Sequence, residues 1–262
     1  MLVKKRPILP ALLVFSFVST LGLGDALARQ TAKGHPVPLQ QLSGYHCNAL
    51  SPAGWSVVGG RAEGDALDVA RGDRKAFASY VILGVTSLMR PNPAYATPEN
   101  TVATVLTQVG QSPVSFGGRR QAYGYTVVSW RNGRGKGTTL YRVFALPSDP
   151  NGFIIAMRSG AIAPSESKRS YKQAMAVATS IRCAVQLVAH TSGSSGSAQR
   201  HARDESDEAS SYNKELGMEY AHSEKTGQNY WVSPSTDFTQ NGSQGPGFYD
   251  SSGNKLLPGR SD

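Results

Sequence analysis

Three short motifs in this chain hold the residue types of serine acyl transfer. Ser165-Glu166-Ser167-Lys168 sets a hydroxyl one helical turn before an amine. Ser211-Tyr212-Asn213 and Lys225-Thr226-Gly227 follow in the order in which such chemistry uses a second hydroxyl and a cationic strand. That chemistry needs the serine at a buried helix start and the Lys-Thr-Gly on a strand beside it. Here the second motif borders a charged, Ser-rich linker and the third falls in a predicted hairpin turn, with only a short stretch between them. The three therefore assign no catalytic residue. Arg29–His190 also holds few groups for general acid–base work: Glu63, Asp65, Asp68, Asp73, Glu99, Asp149 and Glu166, most of them in predicted turns or at helix starts. Arg71-Gly72-Asp73 reads as a turn between strands.

The cations are the stronger chemical signal. Net charge is +9, with 27 Lys and Arg against 18 Asp and Glu. The division is uneven: Arg29–His190 carries 18 basic and 7 acidic residues, whereas the chain from Thr191 onward carries 6 and 10. The basic residues cluster as Arg119 and Arg120, as Arg131, Arg134 and Lys136 in a Gly-rich turn, and as Lys168, Arg169 and Lys172 on the polar side of a helix. Such a surface suits an anionic partner: an acidic polymer, lipid phosphate or an acidic envelope protein. The Gly-rich turn lacks a Ser or Thr after its lysine and joins two strands, so it is not a nucleotide phosphate loop. A second candidate contact is aromatic. Tyr220, Tyr230 and Trp231 stand in a C-terminal stretch of Gly, Asn, Ser and Pro.

The elements that would position these groups follow from periodicity. Strands are expected at Gly54–Val58, Ala66–Ala70 and Ala76–Val85. A helix follows, capped by Thr97 with Pro98 at its first position, and Val102, Val105, Leu106 and Val109 form one face. Ala122–Trp130 and Thr138–Leu146 read as a hairpin and Phe153–Met157 as a further strand. A second helix starts near Ser165 with Tyr171, Ala174, Met175, Ala178 and Ile181 as its stripe. The order strand-strand-strand-helix-strand-strand-strand-helix predicts an α+β fold: an antiparallel sheet with two helices, plus a small β-rich C-terminal module. Within that module Met218–Ala221 and Asn229–Ser233 flank the turn Glu224-Lys225-Thr226-Gly227.

Compartment and domain limits are also written in the composition. Residues 1–28 have the charged start (Lys4, Lys5, Arg6), apolar run and Ala26-Leu27-Ala28 site of a secretory signal peptide. Export to a periplasm or beyond makes nucleic acid an improbable partner, and no later segment is apolar enough to span a bilayer. Two cysteines, Cys47 and Cys183, then read as one disulfide. The five histidines show no metal-ligand spacing, and no cofactor is expected. The predicted layout is a signal peptide at 1–28, a lead-in at 29–44, an α+β domain at 45–190, a flexible linker at 191–213 and an aromatic-rich β module or tail at 214–262.

The main domain resembles the PsbP-like superfamily. The resemblance rests on Pro52-Ala53-Gly54-Trp55 opening the first strand, on the hairpin Ala122–Trp130 with Thr138–Leu146, and on the closing Ala178-Thr179-Ser180-Ile181. It covers Tyr45 to Ala184 and implies binding or assembly, with no shared catalytic residues to carry over. The tail resembles a WW-type module at Gly227–Trp231 and Pro234, but Met218-Glu219-Tyr220 stands where the first signature Trp belongs. The function expected is that of an exported, non-enzymatic binding or assembly protein. Two alternatives are an exported hydrolase with another site and an immunity or inhibitor protein for a secreted toxin.

Overall fold

Alternation is clearest in one central strand. In β5 (Ala76–Val85), Ala76, Ala78, Tyr80 and Ile82 are buried on one face, and Phe77, Ser79, Val81 and Leu83 are half-buried on the other. A strand rich in β-branched and aromatic residues that buries both faces unequally belongs at the centre of a sheet. A computed structural model describes residues 36–61, 65–86, 92–108, 111, 114–146, 149–183 and 209–261. The predicted leader 1–28 and most of the predicted linker, 191–208, lie outside the described residues. The unit that starts at His35 contains every described residue.

The fold is mostly β, which corrects the α+β expectation of one sheet with two helices. Two antiparallel seven-stranded sheets form among the described residues. Sheet I has the order β3 (Trp55–Gly60), β4 (Ala66–Arg71), β5, β9 (Phe153–Ile162), β8 (Gly135–Ala145), β7 (Tyr125–Asn132) and β6 (Ser115–Ala122). Sheet II has the order β10 (Arg182–Cys183), β2 (Cys47–Pro52), β1 (Val37–Gly44), β12 (Asn229–Val232), β11 (Glu219–His222), β14 (Lys255–Pro258) and β13 (Phe248–Tyr249).

The strands absent from the sequence reading lack a strand signature. β1 carries Pro38 and three polar residues, and gains its pairing from β2 on one side and β12 on the other. β6 reads Ser-Phe-Gly-Gly-Arg-Arg-Gln-Ala and is exposed along nearly its whole length. An edge strand with little buried surface has no face that must be apolar, so alternation does not mark it.

Helix α1 (Pro98–Gln108) forms where predicted, with Thr97 Oγ1 accepting from the Asn100 amide at 3.1 Å. Its Val102 and Leu106 pack on Val85, Tyr141, Ile155 and Met157, on one face of sheet I. Helix α2 (Lys168–Ser180) is capped by Ser167, whose side chain accepts from the Ser170 amide. From Ala174 to Ser180 every residue of α2 is buried. The reason is its place: it packs on β5 and β9 of sheet I and on β2 of sheet II. A helix covered on two sides is apolar or small all round rather than along one stripe. Gly160 of β9 permits the close approach, because a Cβ there would stand 2.8 Å from the Met175 amide nitrogen.

The cation buried inside this core is paired. Arg158 is 1% exposed and donates from Nη1 to the carbonyls of Ile181 (2.6 Å) and Ala178 (3.2 Å). Its guanidinium thereby satisfies terminal carbonyls of α2 at the negative end of the helix dipole and lies 4.2 Å over the Tyr80 ring. The expected disulfide is present: Cys47 and Cys183 face each other across β2 and β10.

The C-terminal stretch is woven into the same unit. β12 pairs with β1 through Val37↔Trp231 and Pro38↔Tyr230. The helical segment 209–215 lays Ala209 and Tyr212 against Tyr125, Val127, Leu140 and Met175. β11 and β12 form the predicted hairpin, with Lys225-Thr226-Gly227 in its turn.

Candidate functional site

One face of sheet I is covered by α2, by segment 209–215 and by residues of sheet II. The opposite face is covered only in part, by α1, and there a cleft of about 660 Å³ opens. That volume lies in the range of small-molecule sites. Its floor is built by register. Asp68 pairs with Ser79, Ser79 with Ser159, and Ser159 with Thr139, so four polar side chains form a transverse row across β4, β5, β9 and β8. On one side of this row lie Ala66, Val81 and Met157, and on the other Ala70, Phe77 and Ala161. The α1 residues Val102, Val105 and Leu106 form one wall, while Val58 and Arg61 form the other.

The polar row has two unlike halves. Thr139 Oγ1 accepts from Trp130 Nε1 at 3.1 Å and shares a 2.8 Å hydrogen bond with Ser159 Oγ. Those hydroxyls are partnered within the protein. Trp130 lies flat across β8 because Gly137 has no side chain: a Cβ there would collide with the indole. In the other half Asp68 stands half-buried. Burial pushes its carboxyl above the usual carboxylate range, and Arg61 pulls it back in part. Arg61 itself pairs with Asp65 at 3.3 Å.

Cations gather at one end of the cleft. Arg74 and Lys75 come from the β4–β5 turn, Arg134 from the β7–β8 turn and Lys136 from the start of β8. Ala76 and Lys136 both register with Ile162 of β9. The two turns are thus two strand spacings apart, roughly 10 Å, on either side of the end of β9. None of these four cations forms an ion pair among the described residues. The nearby acids are committed elsewhere. Arg71 Nη2 lies 2.7 Å from Asp73 Oδ2 and 2.9 Å from Glu166 Oε2. Hydrogen bonding to Arg71 holds Asp73 down at about 2.

The sequence-derived cation set is therefore split. Arg134 and Lys136 line the cleft. Arg131 points out of it and donates to Ser115 Oγ at 3.3 Å. Arg119 is paired with Glu99 at 3.7 Å. Arg120 pairs with Glu215 and lies 5.8 Å over the Tyr212 ring. Lys168, Arg169 and Lys172 project from α2, on the other side of sheet I. The structure does not bring these last six into the cleft.

The aromatic candidates are core residues. Tyr220 and Trp231 join the main apolar cluster, with ring centroids 6.3 Å apart, edge to face. Tyr230 packs with Ala221, Val232 and Leu256. Their enrichment in the tail reflects the packing of sheet II rather than an exposed contact surface.

Asp68, Arg74 and Lys75 were missed as site residues. The period-2 pattern of Ala66–Ala70 does carry the signal for Asp68: it sits between Ala66 and Ala70 on one face, away from the face of Leu67 and Val69. Nothing local shows that this face is a cleft. No protein-family model matches this chain, and no curated protein matches it.

Proposed function

We propose that this chain is an exported, non-enzymatic binding protein whose basic cleft mouth takes an anionic partner from the cell envelope. The observation that carries the reading is the group of four cations without ion pairs, Arg74, Lys75, Arg134 and Lys136, at one end of the cleft. Cations outside any ion pair keep much of their field for a ligand. Arg71 contributes by taking Asp73 and Glu166 as its own ion-pair partners. The described lining offers one carboxylate, Asp68, and three hydroxyls beside these cations. The disulfide agrees with export.

The test is binding of inorganic polyphosphate to the purified chain across a salt series. Binding that weakens with salt and is lost in R134E/K136E is expected. Binding that ignores both salt and these substitutions would overturn the reading.

A further inference from the structure

The same cleft says more about its ligand than its sign of charge. We propose that the ligand is a single-chain amphiphile: an apolar tail over the floor of sheet I beside α1, and an anionic head between the β4–β5 and β7–β8 turns. This rests on the anion reading above and extends it to a ligand class.

Three observations carry it. The cleft is polarised along the strands. Its cations Arg74, Lys75, Arg134 and Lys136 stand at one end, whereas Val81 and Met157 floor the other. From Lys75 to Val81 is six residues along β5, roughly 20 Å at about 3.3 Å per residue. That is a path for an extended chain rather than for a compact anion.

The lane between is apolar where α1 borders it. Phe77, Val81, Met157 and Ala161 form its floor, and Val102 and Leu106 its wall. Three hydroxyls lie in that lane: Thr139 and Ser159 are bonded to each other, with Trp130 also donating to Thr139, and Ser79 stands between Phe77 and Val81 beside Asp68 of β4. Thr139 and Ser159 thus present little unmet polarity to a tail, and Ser79 is the one lane hydroxyl outside that pair. Asp68 lies on the far side of the floor, on β4, out of the lane along α1.

The charge pattern selects the head. Four cations that form no ion pair among the described residues flank the end of β9, where the Ala163 amide donates to the Lys75 carbonyl at 2.8 Å. The remaining lining cation, Arg61, is at the opposite end and is neutralised by Asp65. A bound tail with a neutral head would leave the mouth cations unanswered. A bare anion would leave the apolar lane open to water.

Calorimetric titration of the full chain, below micelle-forming concentrations, separates the possibilities. The probes are dodecyl phosphate, inorganic phosphate and the uncharged dodecyl maltoside. Dodecyl phosphate is expected to bind at least about tenfold more tightly than either of the others, since tail burial and head pairing add. The substitution R134E/K136E changes two exposed residues at the β7–β8 turn and the start of β8, and is expected to weaken dodecyl phosphate about tenfold. Ala161→Phe fills the floor between Phe77 and Gly137. It should abolish dodecyl phosphate binding and leave phosphate binding unchanged. Trp130 fluorescence should shift with dodecyl phosphate alone.

Equal binding of dodecyl phosphate and inorganic phosphate would overturn the amphiphile inference and leave the anion reading standing. Equal binding of the maltoside and dodecyl phosphate, unchanged in R134E/K136E, would overturn both. No binding of any anion, polyphosphate included, would also overturn both.

Discussion

Thr179 Oγ1 donates to Asn213 Oδ1 at 3.0 Å inside the core. One residue belongs to α2 and the other to the segment that follows 191–208. Asn213 continues to the Tyr220 hydroxyl at 3.4 Å, and that hydroxyl donates to the Ala176 carbonyl at 3.2 Å. A buried polar chain thus fastens the C-terminal stretch to the last helix of the main part. Removing one member leaves others unsatisfied in a dry site, which costs about 1–3 kcal/mol. Asn213→Leu is expected to lose about that much in urea unfolding, with the main and C-terminal parts still unfolding together.

Truncation before 209 should be far more damaging. It uncovers Tyr125, Val127, Leu140 and Met175, and it removes Trp231, which is 1% exposed in the main core. A chain ending at 190 is expected to bind a hydrophobic dye and aggregate. A truncated chain as stable as the whole in a thermal scan would refute this account of the C-terminal stretch.

Acid should loosen the β4–β5 turn through Asp73. Hydrogen bonding to Arg71 holds its folded pKa at about 2, below the ordinary 3.8. A depressed pKa means that ionised Asp73 favours the folded state. That contribution is complete above about pH 4 and vanishes as pH falls through about 2. In the Arg71→Met variant the slope of stability against pH in this window should flatten, as followed by chemical denaturation at each pH.

Asp68 has the opposite sign. Burial raises its folded pKa above the unfolded value, so the folded chain holds the proton more tightly. Ionisation as pH rises out of the acid range therefore costs stability at neutral pH. Asp68→Asn should melt at a higher temperature than the parent at pH 7 and show little difference below pH 4. A lower melting point at pH 7 would mean that the carboxylate has a stabilising role that burial does not describe.

The disulfide closes a sequence separation of 136 residues. In the chain-entropy account a loop of that size stabilises by about 5 kcal/mol, as an upper figure. The double variant C47S/C183S should lose a large part of this at equilibrium. Reduction of the parent should give the same loss.

The sequence alone determined the elements that repeat a pattern: β5 with its alternation, α1 with its cap and stripe, the β11–β12 hairpin and the pairing of Cys47 with Cys183. It also determined which residues are cationic and that they concentrate in Arg29–His190. Only the tertiary structure decided which cations act together. Arg134 and Lys136 reach the cleft mouth with Arg74 and Lys75, while Arg119 and Arg120 are neutralised by Glu99 and Glu215. It also decided that β1 and β6 are strands and that Tyr220 and Trp231 are core. The reason is physical. Local periodicity reports burial by near neighbours in the chain, whereas these features depend on β1 meeting β12 across nearly two hundred residues, on an edge that needs no apolar face, and on turns brought side by side by sheet register.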